Sequence, residues 1–277
     1  MDLEEKERRL EAVLNESASA VVAFSGGVDS SYLAWKAYGI IGDRMIAVTA
    51  ESPSTPAHQR RLTARIIGDY GIPHRVFQSR EIDLDAYRAN DADRCFYCKD
   101  EICSRLSEIA ANAGFAIVMD GSNADDLDDY RPGRKAALKH SVRSPLMEAG
   151  LTKNDIRELS RRAGLPTADE PSSACLATRL PYGVEITAEK LHQIDRGEEF
   201  LRETGFRVFR VRHHETLARI ELGPEDLKRA LNQETVVRLV AAFKELGYKY
   251  VTLDLEGYRM GSSNEVLSNL DKQKSNF

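Results

Sequence analysis

Residues 20–24 are an unbroken run of small and apolar side chains, Ala-Val-Val-Ala-Phe, set between polar stretches. A run that short and that apolar predicts a strand buried on both faces. The spacing then turns helical through Leu33, Ala34 and Ala37. The same alternation repeats. A strand over 44–50 precedes a helix over 56–70, with Leu62, Ile66 and Ile67 on its apolar stripe and Gly71 as its stop. A short strand over 74–77 precedes a helix over 97–113, with Ile102, Leu106, Ile109 and Ala110 in helical register and Gly114 after it. A strand over 115–119 runs into Asp120-Gly121, and an amphipathic helix over 2–13 leads into the first strand. Strands alternating with helices predict βαβ units and an α/β fold, a parallel sheet with helices on both faces. Ligands of such sheets bind beyond the carboxyl ends of the strands. Residues 25–30, 50–52 and 120–121 fall on that edge.

The pattern changes after residue 150. Thr152 to Asp155 reads as a capping box for a helix reaching Ala163. Residues 164–184 hold Pro166, Pro171 and Pro181 and no periodicity. A structureless stretch of that length inside a compact protein implies function or a linker, and it is expected to be mobile until ligand binds. Beyond it come a helix over 187–204, alternating strands over 206–212 and 217–222, a helix over 227–246 broken near Asn232, and a strand over 248–255. This reads as a smaller α+β domain with antiparallel strands. The expected division is 1–164 for the nucleotide domain, 165–186 for an active-site connector and 187–277 for the C-terminal domain, with a tail fraying from Ser262.

Composition adds limits rather than detail. A net charge of -5 gives no general attraction to nucleic acid. No apolar run approaches the roughly 20 residues of a membrane span, and the charged first ten residues lack a signal-peptide core. A cytoplasmic protein is expected. Its 4 cysteines are then ligands, nucleophiles or buried fillers rather than disulfides.

The chemistry concentrates in a few places. Ser25-Gly26-Gly27-Val28-Asp29-Ser30 lies between the first strand and its helix, where open amides and the helix dipole favour an anion. The two glycines let backbone close around a phosphate. No Gly-Lys-Ser/Thr follows, so this is not a Walker loop. Cys95 and Cys98 stand three apart at the start of a helix, where helix N–H groups lower a thiol pKa. Alone, that spacing suits zinc, an iron–sulfur cluster, a redox pair or chance. Cys175 lies in the long loop, and three cysteines would leave the fourth site of a metal or cluster open. Cys103 is on the other side of the helix and reads as core. Asp125 and Asp126 follow the fourth strand and could hold Mg²⁺ on ATP phosphates. Arg131 and Arg134 could clamp phosphate or carboxylate. Arg210 and Arg212 share one strand face and with Arg179 could form an anion pocket; the alternative is a solvated face. His213, His214 and Glu215 read as a hairpin turn rather than a metal site.

Ser25 to Ser30 resembles the PP-loop of ATP pyrophosphatases. That motif, with DGSNADDLDDYRPG at 120–133, ACLATRLPYG at 174–183, RVRHHETLARIEL at 210–222 and GYKYVTLDLEGYRMGSSNE at 247–265, resembles the LarE family over nearly the whole chain. These are ATP-dependent sulfur transferases of nickel-pincer nucleotide biosynthesis. The resemblance implies adenylation of a pyridinium carboxylate mononucleotide, release of pyrophosphate, and replacement of AMP by sulfur, with Mg²⁺ assisting. It implies an ATP site of Ala23, Phe24, Ser25, Gly26, Gly27, Asp29 and Ser30, with Val48 and Gly121. Thr178 and Arg179 would lie near the reacting centre, with Asp29 and Cys175 as further catalytic residues. Arg210 and Arg212, with Arg131 and Arg134, would meet the substrate phosphate or carboxylate. Some members give up the sulfur of one cysteine, which aligns with Ala174 here. Others bind a [4Fe–4S] cluster through three thiolates, and Cys95, Cys98 and Cys175 match that set; inorganic sulfide or another donor would then resupply the sulfur. By the same resemblance the protein is a homo-hexamer. Sacrificial transfer from Cys175, a tRNA or nucleotide thiolase, structural zinc, and a non-catalytic ATP- or zinc-binding regulator are the alternatives.

Overall fold

A computed structural model describes residues 1–127, 133–171 and 174–259. Helix α1 (Leu3–Asn15) starts at Asp2, whose carboxylate accepts from the Glu5 amide at 2.7 Å. Then come β1 (Ala20–Ala23), α2 (Val28–Ile41), β2 (Met45–Glu51), α3 (Ala57–Tyr70) and β3 (His74–Gln78). A one-turn α4 (Asp85–Arg88) leads to the long α5 (Arg94–Ala113) and β4 (Ile117–Met119), followed by α6 (Gly133–Lys139), α7 (Pro145–Glu148) and α8 (Lys153–Arg162). The strand order is β3-β2-β1-β4 and every pairing is parallel, with Ala23 opposite Val48 and Val22 opposite Met119. The α/β reading holds. One face of the sheet packs Val22, Phe24 and Met45 against α1, α2 and α8. The other packs Val21, Val48 and Val118 against α5. The predicted capping box at Thr152 and Asp155 is present. Cys103 is buried in the α5 face of the core with Leu106 and Ile109.

The chain continues through α9 (Ala188–Glu203), β5 (Phe209–His214), β6 (Leu217–Leu222), α10 (Leu227–Ala230), α11 (Gln233–Glu245) and β7 (Tyr250–Leu253). Asn232 caps α11 and splits the helical stretch where expected. This small sheet is ordered β5-β6-β7. The expectation of purely antiparallel strands is corrected: β5 and β6 form a hairpin, but β7 runs parallel to β6 because α10 and α11 cross over between them. His213 and His214 end β5, and Glu215 takes a φ of 53° in the turn, so the hairpin reading of that segment holds.

The two halves meet along α3 and α9. Pro56 leaves the α3 N-terminus uncapped from within, and the Asp195 carboxylate of α9 accepts from the Ala57 amide at 3.0 Å instead. Arg61 reaches Glu199 at 2.6 Å beside it. The connector is fixed to both halves: Arg157 donates to the carbonyls of Ala168 and Glu170, Leu176 N–H to Ser54 O at 2.9 Å, and Arg179 Nε to Glu198 of α9 at 2.8 Å. The stretch expected to be mobile is thus tied at several points in its described parts; residues 172–173 and the tail from Ser262 lie outside the described residues. Among the described residues, no helix is long and apolar enough to cross a membrane.

Candidate active site

The turn after β1 is tightly packed and leads into a helix without a side-chain cap. Gly26 has a φ of 72°, and a Cβ there would lie 2.4 Å from Thr63 Oγ1, so only glycine fits. Gln59 Nε2 and Thr63 Oγ1, from α3, donate to Ser25 O at 2.7 and 3.4 Å and hold the turn from behind. Inside it, Ser30 Oγ accepts from Ser25 N–H at 3.2 Å and pairs with Ser25 Oγ at 3.0 Å. Gly27 begins α2, and no side chain caps that helix. Its amide end therefore faces the turn without a covering carboxylate. Phe24 N–H bonds Val48 O at 2.9 Å, and Gly121 packs so closely that a Cβ would lie 2.9 Å from Ser30 N. Ala23, Phe24, Ser25, Gly26, Gly27, Ser30, Val48 and Gly121 are thus brought together at one sheet edge.

Asp29 stands on the first turn of α2. Its Oδ2 pairs with Lys153 Nζ at 2.5 Å, whereas Oδ1 is buried without a partner among the described residues. Burial pushes its carboxyl pKa up against the pull of Lys153, and Asp126 adds to the push. An orphaned carboxylate oxygen beside a second carboxylate is a fit for a divalent cation. Asp125 and Asp126 are occupied locally: they accept from Lys153 N–H at 2.8 Å and Asn123 N–H at 2.9 Å.

The second cluster is assembled from distant segments. Cys95 and Cys98 lie in the first turns of α5, the former exposed and the latter half-buried. Cys175 begins a single 3₁₀ turn over Leu176–Arg179. Cys98 and Cys175 pack against one apolar cluster that includes Tyr87 and Leu176. Tyr87 OH meets Ser54 Oγ at 2.6 Å. The three thiols lie near enough for charge on Cys175 and Cys95 to act on Cys98. The expectation that the helix end lowers this thiol's pKa is corrected at Cys98. Burial pushes it well up, and Glu81, Cys175 and Cys95 push further, so an unliganded Cys98 stays protonated. The two clusters share the sheet edge: Lys99, next to Cys98, pairs at 2.9 Å with Asp120, which precedes Gly121. Among the described residues, no three His, Cys, Asp or Glu side chains are grouped to hold a single metal ion.

Two of the arginines expected to form an anion pocket, Arg179 and Arg212, are paired with carboxylates inside the protein. Arg179 is 2% exposed and engages every nitrogen within the protein. Nε and Nη2 clamp Glu198 at 2.8 and 3.0 Å, while Nη1 reaches Ala174 O, Cys175 O and Thr178 Oγ1. It therefore holds the turn that carries Cys175. Arg212 clamps Glu221 with two bonds of 2.9 Å and donates to Thr178 O. Arg210 lies over the Tyr258 ring at 4.8 Å and donates to Phe209 O at 2.6 Å. Burial and the nearby Arg179 lower its pKa. Arg134 is exposed on α6, at whose start a Cβ on Gly133 would lie 3.5 Å from Cys95 O. Arg131 lies outside the described residues.

Sequence reasoning missed the carboxylates Glu198 and Glu221, because their partners are distant or on a neighbouring strand. It also missed Asn90. That residue is fully buried with a φ of 57°, and its amide donates to Pro181 O and Val184 O at 2.7 and 2.9 Å.

No family model matches the chain. It is 42% identical over 266 residues to an uncharacterized protein, slr1717, of Synechocystis, covering 96% of this chain and 99% of that one. It is 35% identical over 264 residues to the pyridinium-3,5-bisthiocarboxylic acid mononucleotide synthase of Lactiplantibacillus plantarum, covering 95% of each. A more distant relative, 25% identical over 202 residues, is a glutamine-hydrolyzing GMP synthase component of Thermoplasma acidophilum, covering 66% of this chain and 63% of that one.

Proposed function

The chain belongs to the LarE family of ATP-dependent sulfur transferases, and from that premise we propose that it converts the carboxylates of a pyridinium mononucleotide to thiocarboxylates for the nickel-pincer nucleotide. The observation that carries this reading is the anion cradle at Ser25–Ser30, uncapped and set at the sheet edge. A substrate carboxylate oxygen attacks the α-phosphorus of ATP, and the bond to pyrophosphate breaks. The cradle's amides and the Ser25 and Ser30 hydroxyls stabilise the charge that grows on the departing pyrophosphate. Asp29 Oδ1 and Asp126 would hold Mg²⁺ on the phosphates. Hydrosulfide sulfur then bonds to the acyl carbon, the carbon–oxygen bond to AMP breaks, and AMP leaves with the electron pair. The proton of the hydrosulfide passes to solvent, and no net redox change occurs.

Cys95, Cys98 and Cys175 would hold a [4Fe–4S] cluster. The donor set supports this. A cluster spreads its thiolates over separate irons, which suits three cysteines drawn from two separate segments. When bound, such a cluster supplies an iron without a protein ligand, able to carry sulfur. Arg179 keeps Cys175 placed through its backbone carbonyl. The reading includes the division at 164 and 187, and a homo-hexamer in a reducing cytoplasm.

The test is anaerobic purification followed by incubation with ATP, the pyridinium dicarboxylate mononucleotide and sulfide. Pyrophosphate release that depends on the carboxylate, with thiocarboxylate formed over many turnovers, is expected. Iron and acid-labile sulfide should be near four each per chain and lost in Cys175→Ala. Single turnover with conversion of Cys175 to dehydroalanine would replace the cluster by a sacrificial thiol. Sulfur incorporated into tRNA instead would overturn the substrate.

A further inference from the structure

The described residues include three buried arginines: Arg94, Arg179 and Arg212. Arg179 is clamped to Glu198 and Arg212 to Glu221. Arg94 has no carboxylate among the described residues. Its side chain is 3% exposed. It donates to the neutral Asn90 Oδ1, lies 4.5 Å over the Tyr182 ring, and keeps a buried Nε with no partner among the described residues. A buried cation without a counter-charge is costly, and the fold places this one at a particular spot. Arg94 opens α5, next to Cys95 and one helical turn before Cys98, so Arg94 and Cys98 share a helix face. Its stacking partner, Tyr182, follows Arg179, which bonds Cys175 O at 3.1 Å.

Lys99 also acts on Cys98 as a positive charge, but not as an uncommitted one. Lys99 is committed to Asp120, and Glu81 adds negative charge beside Cys98. A cluster held by three thiolates is itself negative overall. We propose that Arg94 is the built-in counter-charge for the anionic iron–sulfur cluster held by Cys95, Cys98 and Cys175. The inference rests on the cluster reading above. Arg94 contacts no reacting atom in this scheme; it acts through the electrostatics of the site, and its neutral bonds to Asn90 and Tyr182 hold it in place. The mismatch in the metal-free protein follows directly, since the compensating charge arrives with the cluster.

The test compares wild type, Arg94→Met and Arg94→Lys, each purified and reconstituted with iron and sulfide without oxygen. Three quantities are read: thermal midpoint of the metal-free protein, rate of iron loss to a chelator, and reduction potential of the cluster. Removing a nearby positive charge makes reduction harder, so Arg94→Met should have a more negative potential. It should lose iron about ten- to a hundredfold faster, the usual cost of altering groups around metal ligands. Arg94→Lys should stay near wild type in potential. Metal-free Arg94→Met should melt no lower than wild type, because it removes an unpaired buried charge and keeps most of the stem. A loaded wild type with unmoved potential in Arg94→Met overturns this inference alone. So does a metal-free Arg94→Met that melts well below wild type with no change in iron retention, which marks a purely structural clasp. A wild type that takes up no iron overturns the cluster reading and the counter-charge with it.

Discussion

The two halves of the candidate site are built on opposite principles. The anion cradle is local: one strand, one turn and one helix end within residues 20–31, supported from behind by Gln59 and Thr63. Asp29 Oδ1 there is buried with no partner among the described residues. The thiol cluster is assembled from α5, the connector, α9 and β5. There the charged groups are turned on each other, Arg179 to Glu198 and Arg212 to Glu221. The difference separates a surface that waits for a ligand from a framework that must first hold itself together. Substitutions in the cradle should damage chemistry more than stability, and substitutions in the framework should do the reverse.

Gly26→Ala should have the largest effect on the cradle. The new Cβ would meet Thr63 Oγ1 at 2.4 Å, on backbone with a φ of 72°. The turn must shift, and with it the amides that the proposed function sets against the pyrophosphate. Carboxylate-dependent pyrophosphate release should fall by about 10²–10³-fold, the cost of removing an oxyanion donor, with far-ultraviolet circular dichroism unchanged. Activity within threefold of wild type would show that the cradle does not hold the leaving group.

Glu198→Ala tests the framework. It leaves the Arg179 charge buried and uncompensated, which should cost about 3–5 kcal/mol in urea denaturation. The double variant Arg179→Met, Glu198→Leu should regain most of that loss, because it removes both buried charges. A Glu198→Ala cost below about 1 kcal/mol, the level of an exposed pair, would mean the clamp does not hold the Cys175 turn.

This contrast also explains what could be read in the sequence. The sheet, the cradle and the broken helix at Asn232 are legible because each depends on near neighbours: a buried run, two glycines, a capping residue. The hairpin at Glu215 is legible for the same reason. The direction of β7 is not, since parallel pairing is set by the path of α10 and α11 rather than by residues 250–253. Arg179 and Arg212 look like open anion binders because a guanidinium shows its charge in the sequence and not its partner. Glu198 lies 19 positions from Arg179, and no local pattern links them. Asn90 is harder still, since its role is a backbone conformation and two bonds to a loop about 90 residues away.

Asn90 gives the mildest test of the assembled half. Asn90→Gly keeps the φ of 57° free of strain, so the substitution removes only side-chain bonds, those to Pro181 O and Val184 O and the one accepted from Arg94. Their loss should cost about 1–3 kcal/mol, less than the loss of Glu198, and should leave ATP binding at the cradle unchanged. The effect should surface at the thiols. Burial and Glu81 hold the Cys98 pKa well above that of an ordinary thiol, so at neutral pH little thiolate is present and alkylation is slow, rising with pH. Cys95, which is exposed, should react first in the wild type. In Asn90→Gly the connector is loosened from the start of α5, water reaches Cys98, its pKa falls back, and its labelling should approach that of Cys95, read peptide by peptide by mass spectrometry. Unchanged Cys98 labelling alongside a measured loss of stability would separate the Asn90 clasp from the thiol cluster, leaving the Arg179 clamp to hold the connector in place.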